Sequence, residues 1–499
     1  MMIPPAPSPA NHKPAFPYFA LLPILATLLV SVSARALAQP VVPDWAEDAI
    51  WYQIFPERFA NGDTSNDPPG VEKWGGKPEP RNFFGGDLQG IIDHLDYLQR
   101  LGVNALYLNP IFESPSNHKY HTSDYLKIDH NFGDDAVFQR LVGECHRRGM
   151  HIIIDGVFNH TGVHFFAFED IKKNEAKSPY LKWYDVHSFP VGPPEKPNYE
   201  AWWGLGDLPK LMTGNPEVRK YLFDATTHWM KAGLDGWRLD VPNEIPHEFW
   251  IEWRKLVKAE NPEAYIVGEI WDDATPWLQG DQFDAVMNYR FRGGCVGFIA
   301  LGNQTATQFD STLTAQRNAY PGRVDYVLQN LIGSHDTERF MTLSGGDAEK
   351  VKLAVLAQMT YVGAPMIYYG DEIGMQGGKD PDCRHTMEWD STKWNLDLWT
   401  WYQKLVKIRN DHRLFRRGSY KTVLADDAGK LIGYAREDGS ERALVFLNNG
   451  SRDAKAPLTG VRLPPDGWRN LLTGTRIPPA DSVVVPARSG VILFSSSAE

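Results

Sequence analysis

The sequence is poor in cysteine, with three residues, Cys145, Cys295 and Cys383, odd in number and far apart. They make neither a CxxC metal knuckle nor a disulfide framework, so stability has to come from a packed core. No run of Lys or Arg forms a phosphate-binding stripe, and 51 basic against 62 acidic residues leave a formal charge of −11. Nucleic acid is therefore not an expected partner. Beyond residue 38 no apolar stretch is long enough to span a membrane. No glycine-rich turn follows the first strand-like run, IWYQIFPERF, which argues against a doubly wound nucleotide-binding sheet, the alternative fold. What is plentiful is apolar and aromatic surface. Hydrophobic residues make up 42% and aromatic residues 12%, with 17 Trp and 20 Tyr. That is a globular composition, with more indole and phenol than a core needs, and it suits a wall for flat, weakly polar ligands such as sugar rings.

The first residues stand apart. FPYFALLPILATLLVSVS (16–33) is followed by Ala36-Leu37-Ala38, an A-x-A cleavage signature. Residues 1–38 read as a secretory signal, with an uncleaved anchor as the alternative, and predict a secreted or periplasmic protein with no membrane attachment after cleavage.

Further along, short β-branched or aromatic runs recur, each ending in polar residues: 50–55, 104–110, 151–158, 236–241, 264–270, 283–289, 328–336 and 365–371. Amphipathic helical stretches such as 87–102, 135–149 and 347–363 alternate with them. Eight strand–helix units predict an α/β fold, a (β/α)₈ TIM barrel over 44–412. Two regions break the rhythm. A Trp-, Tyr- and Pro-rich insert at 161–211 predicts an excursion domain after the third strand. From 413 to 499 alternating segments such as LIGYARED and RALVFLNN predict a C-terminal antiparallel β-sandwich.

In such a barrel the active site lies at the C-terminal strand ends, and those ends carry Asp155, Asn159 and His160, then Arg238 and Asp240, then Glu269, then His335 and Asp336. Convergence of these groups on one rim is far less expected by chance than any one of them as a loop residue. Carboxylates without a Ser or Cys nucleophile motif point to glycoside hydrolysis; a metal hydrolase is weakened by the lack of a close ligand pair such as HExxH. Arg238 and Asp240 share a strand face, so the guanidinium is expected to favour the ionised carboxylate that a nucleophile requires. Glu269, after apolar YIVG, suits an acid kept protonated by burial, and Asp336 a third carboxylate binding sugar hydroxyls.

DGVFNH (155–160), GWRLDVPNE (236–244), EIWD (269–272) and LIGSHD (331–336) resemble, in order, the four main motifs of the α-amylase family of glycoside hydrolases, and the likeness extends over 44–499. The resemblance implies Asp240 as nucleophile, Glu269 as acid/base and Asp336 as transition-state stabiliser. It implies Arg238, His160, His335, His118 and Tyr120 as sugar ligands, the tyrosine by stacking. LPKL (208–211), Asn243-Glu244 and GDEIGMQGGKDPDCR (370–384) are similar to the cyclomaltodextrinase, neopullulanase and maltogenic amylase branch. Leu208, Pro242 and His121 stand where that branch has Met, Ala and Asp, which leaves bond specificity open. ERFANGDTSND (57–67) and FFGGD (83–87) offer hard oxygens at short intervals, as calcium prefers, or a metal-free Asx-rich turn. By resemblance, Asn61, Asp63, Asn66, Asp67, Gly85 and Asp87 form the branch's calcium loop. The branch's extra N-terminal domain has no counterpart between the signal and IWYQIF, so a monomer with an open cleft that accepts long polymers is expected.

The expected activity is retaining hydrolysis of α-1,4-glucosidic bonds in maltodextrins, cyclodextrins or starch. A transglycosylase or isomerase of the same family, or a non-catalytic barrel subunit, is the alternative. Trp183, Trp202 and Trp203 are candidates for sugar stacking or for packing the excursion's own core.

Overall fold

A computed structural model describes residues 42–458, 464 and 467–496; the secretory-signal reading of 1–38 lies outside the described residues. Eight parallel strands, β1 (Trp51–Ile54), β2 (Ala105–Leu108), β3 (His151–Gly156), β4 (Gly236–Leu239), β5 (Tyr265–Gly268), β6 (Ala285–Val286), β7 (Gln329–Leu331) and β8 (Ala364–Tyr368), follow the spatial order β6-β5-β4-β3-β2-β1-β8-β7. A single parallel bridge between Met287 and Gln329 joins the two ends and closes the barrel, with the Asn288 amide donating to the Gln329 carbonyl at 2.8 Å. Every run read from the sequence supplies one strand, in order. The strands are shorter than the runs, most of all β6 and β7, because the residues beyond them leave the ladder to build the barrel mouth.

The strands are almost entirely buried because helices cover the outside and side chains fill the inside. The helical stretch 87–102 is two helices, Leu88–Asp93 and Leu95–Leu101, jointed at His94. Gly236 opens β4 at φ +152, and a Cβ there would lie 1.9 Å from the Tyr265 carbonyl. Only glycine lets β4 approach β5 this closely. Since alternate residues face the interior, the parallel register sets Gln53 beside Tyr107 and Asp155 beside Arg238. The lumen below the mouth is therefore polar.

Within 161–211 lie a helix, Phe166–Asn174, several short turns and an isolated bridge between Ala201 and Pro209, and a second bridge ties Lys210 back to His160 at the end of the preceding segment. The C-terminal domain is a sandwich. Its larger antiparallel sheet runs β9 (Ser419–Asp426), β10 (Leu431–Asp438), β11 (Glu441–Asn448), β16 (Ser489–Ser496), β13 (Trp468–Asn470), β14 (Arg476–Ile477). The smaller pairs β12 (Ala454–Pro457) with β15 (Ser482–Val485), and Leu444, Phe446, Trp468, Val485 and Leu493 fill the space between them. Two buried arginines tie the sandwich to the barrel: Arg409 donates to the Met359 and Phe415 carbonyls, and Arg436 to those of Thr360 and Gly418. Carbonyl oxygens take the terminal nitrogens of both guanidinium groups in place of a carboxylate.

Glu372, after β8, is fully buried and accepts hydrogen bonds from the Tyr52 hydroxyl at 2.7 Å and from Tyr97. Burial pushes its carboxyl up to about 7. A carboxyl raised in the folded state costs stability once ionised, so its contribution declines as pH rises from the ordinary carboxylate range through 7. Glu372→Gln should raise the melting temperature by a few degrees at pH 8 and leave it nearly unchanged at pH 4.5. Parallel pH–melting curves for the two proteins would contradict this.

Candidate active site

At the mouth of the barrel one guanidinium meets three carboxyls. Arg238 Nη1 lies 2.9 Å from Asp155 and 3.1 Å from Asp240 Oδ1, and Nη2 lies 2.9 Å from Glu269 Oε2. Arg238 and Asp155 are wholly buried, and Asp240 and Glu269 are nearly so. Burial raises the carboxyls of Asp155, Asp240 and Glu269 above the ordinary range, Asp240 well above it, while Arg238 pulls each of them down. The sequence reading gave Arg238 to Asp240 alone. Three carboxyls share the one cation, and burial outweighs it in raising each of them.

Asp155 is the fixed point of this group. It accepts hydroxyl hydrogen bonds from Tyr107 at 2.8 Å and Tyr120 at 2.9 Å in addition to the guanidinium. The Tyr120 ring stacks on His335 at 5.6 Å, and His335 Nε2 lies 2.7 Å from the Tyr120 hydroxyl. Gln53 Nε2 lies 2.8 Å from His335 Nδ1, which assigns the ring proton to Nε2. Burial drives His335 and His118 well below the ordinary histidine range and His160 down to about 3. All three rings are neutral near pH 7, so they meet a sugar as hydrogen-bonding groups and not as cations. His118 accepts the Tyr120 amide on Nδ1 at 3.2 Å, which leaves Nε2–H as a donor. His160 stacks on Trp202, and its Nε2 has no partner among the described residues.

Asp336 is the most exposed of the carboxylates and is held from two sides. His335 Nε2 lies 3.1 Å from Oδ2, and Arg384 Nη2 donates to Oδ1 at 3.1 Å. Arg384 also donates through Nε to the His335 carbonyl at 2.8 Å and pairs with Asp380. Sequence reasoning missed Arg384 as a site residue. The signal was present in DPDCR, but nothing in the spacing showed that this loop folds back over β7. Trp271 was missed as well. Its indole N–H donates to Glu269 Oε1 at 3.1 Å while its ring stacks on Tyr289 at 3.7 Å, leaving it 47% exposed. Val241, directly after Asp240, sits at φ 35 and donates its amide to Glu269 Oε2 at 3.3 Å. A β-branched residue before proline in the left-handed region costs on the order of 1–3 kcal/mol, and here that strain supplies a donor to the second carboxyl.

Of the residues read as calcium ligands, Asn61 and Asp67 touch, with Asn61 Nδ2 donating to Asp67 Oδ1 at 2.7 Å, and Gly85 at φ +81 packs directly on both. The buried Asn61 Oδ1 and Asn66 Oδ1 have no partner among the described residues. Asp87 accepts the Gly62, Asp63 and Gly90 amides, and the Asp63 carboxylate caps Ser65. Orphaned amide oxygens beside a carboxylate are the donor set of a hard cation.

The mouth of the barrel thus gathers the carboxyls of Asp240, Glu269 and Asp336 beside neutral imidazoles. Residues 53–418 match the family described as alpha amylase, catalytic domain, and the chain belongs to this family of glycosidases. It is 48% identical over 440 residues to a cyclomaltodextrinase from Geobacillus thermopakistaniensis (87% of this chain, 74% of the relative). It is 51% identical over 441 residues to neopullulanase 2 of Thermoactinomyces vulgaris (87% and 75%). Among solved structures, the cyclic alpha-maltosyl-(1→6)-maltose hydrolase of Arthrobacter globiformis aligns with TM-score 0.86 at 42% identity, covering 92% of this chain and all of that one.

Arg384→Ala should lower kcat/KM roughly 10²-fold by releasing Asp336, with little change in melting temperature. Unchanged turnover would mean that Asp336 is oriented by His335 alone.

Proposed function

We propose that the protein hydrolyses α-1,4-glucosidic bonds of maltodextrins, cyclodextrins or starch with retention of anomeric configuration. The observation that carries this reading is the single guanidinium shared by Asp240 and Glu269. It holds the two carboxyls at one point of the rim, where a nucleophile and an acid can act on the same bond, and the likeness to the α-amylase family supports retention. Asp240 attacks the anomeric carbon and forms a glycosyl ester as Glu269 passes its proton to the departing oxygen. Water then gives its proton to Glu269, its oxygen takes the anomeric carbon, and Asp240 leaves as carboxylate. Asp336, Arg238, His118, His160 and His335 hydrogen-bond the sugar, and Tyr120 stacks beneath it. The names of the cyclomaltodextrinase and neopullulanase relatives support this substrate class. Asp240→Ala should cost turnover on the order of 10⁴-fold in a folded protein. Glu269→Gln should cripple glucan hydrolysis yet spare the first step on a substrate with an activated leaving group, which needs no proton. Equal losses on both substrates would remove Glu269 from the acid role.

A calcium ion at Asn61, Asp63, Asn66, Asp67, Gly85 and Asp87 is the second part of the proposal, supported by the orphaned amide oxygens there. Its role is structural: it ties the segment after β1 to the start of the following helix. Excess chelator should lower the melting temperature and calcium should restore it, since an ion that binds only the folded state stabilises by mass action. Identical melting with and without chelator would exclude the ion. Export is the third part, resting on the apolar run 16–33 and the Ala36-Leu37-Ala38 site, and it expects an exported chain that begins at Gln39.

A further inference from the structure

Trp203 is the most exposed large apolar residue among those described, with 79% of its surface open. Its backbone sits at φ 51, ψ 24, in the left-handed region that a bulky residue rarely occupies. Exposure of an indole and a left-handed backbone both disfavour the folded state. The loop that holds it is nevertheless fixed: the Trp202 amide donates to the Leu208 carbonyl at 3.0 Å, the Leu208 amide to Leu205 at 2.8 Å, and the Tyr199 hydroxyl to Gly206 at 2.8 Å. Ala201 and Pro209 are bridged at its base.

The ring also has a direction. Trp203 stacks on Trp202 at 4.6 Å and 18°, and Trp202 stacks on His160 at 5.4 Å and 20°. Three nearly parallel rings thus lead from the sugar-binding histidine to the outer surface of the excursion domain. The inner two carry donor positions without a partner among the described residues, Trp202 Nε1 and His160 Nε2, and Leu205, 51% exposed, extends the apolar surface beside the outer one. Trp183, the third candidate of this segment, differs in every respect. It is buried and donates to Glu217 at 3.0 Å, so it packs the core.

We propose that Trp203 is an outer glucan-binding platform: a pyranose ring of an α-glucan chain, remote from the bond being cut, stacks on its free face. The occupant follows from continuity with His160 and from the chemistry of the surface. An indole face takes the C–H face of a sugar ring, and a ring held rigidly in the open loses little entropy on binding. The inference rests on the α-glucan reading above and deepens it: the protein gains affinity for chains long enough to reach from His160 past Trp202, while short oligosaccharides occupy the mouth without touching Trp203.

Trp203→Ala and Trp203→Phe should be compared with the parent on maltotriose and maltoheptaose. Trp203→Ala should lower kcat/KM roughly tenfold on maltoheptaose, through KM, and leave maltotriose within twofold; Trp203→Phe should retain most of the long-chain activity. Maltoheptaose titrated calorimetrically into Asp240→Asn, with and without Trp203→Ala, reads the platform independently of turnover and should show the same tenfold loss. Equal loss on both substrates would assign Trp203 a structural role. A change in solution mass without a change in chain-length selectivity would assign the surface to a second copy of the chain, and an unchanged maltoheptaose affinity would mean that no sugar sits there. Each of these overturns the platform. A parent that hydrolyses no α-glucan overturns the hydrolase reading, and the calorimetric comparison then decides the platform by itself.

Discussion

The arrangement of the site depends on one buried cation. Arg238 is fully enclosed, and an isolated charge in that position would be prohibitively costly. It is tolerated because Asp155 lies beside it in the parallel register and because Asp240 and Glu269 complete the set. The dependence is mutual. Without Arg238 the three carboxyls would lose the one cation that favours their ionised forms. Removing one member of such a group leaves an uncompensated charge, so the barrel mouth behaves as a single electrostatic unit.

Around this unit the polar lumen supplies orientation. Gln53 and Asn109, from the ends of β1 and β2, reach His335 and Tyr120, and Tyr120 and Tyr107 reach Asp155. The first three strands and the loops after β2 and β7 therefore supply one chain of hydrogen bonds, which fixes the His335 tautomer. The flanking carboxylate is secured differently. Asp336 leans on Arg384 from the loop after β8, so two neighbouring loops have to be in place together to fix the third acid. Strain has a place in the same design, since the left-handed Val241 turns an amide to Glu269 that a relaxed backbone would point elsewhere.

Legibility from sequence differed by kind of feature. The eight strands were legible because parallel barrel strands are buried on both faces and read as continuous apolar runs. Asp240, Glu269, His335 and Asp336 were legible because they terminate such runs. Arg384, Trp271 and the left-handed backbone of Val241 were not, because their roles arise from loops meeting across the mouth, and spacing along the chain carries no information about that. The joint at His94 escaped notice for a related reason: the apolar periodicity of 87–102 continues through it, and only the backbone angles there divide the helix. The tryptophans show the limit most plainly. Trp183 and Trp203 belong to one aromatic-rich insert and look alike in sequence, yet one is core and the other is open to solvent.

By itself the sequence determined the barrel, its order of strands, the insert after the third of them, the β domain at the end and the acids at the strand ends, because each of these leaves a local pattern of burial or charge. Only the tertiary structure decided how charge is shared. Register places Arg238 among three carboxyls and not beside one, and burial from all sides then lifts those carboxyls and silences the histidines. Protonation in a buried site is set by everything packed around it, and that surrounding comes from segments distant in the chain, so it exists only once the barrel has closed.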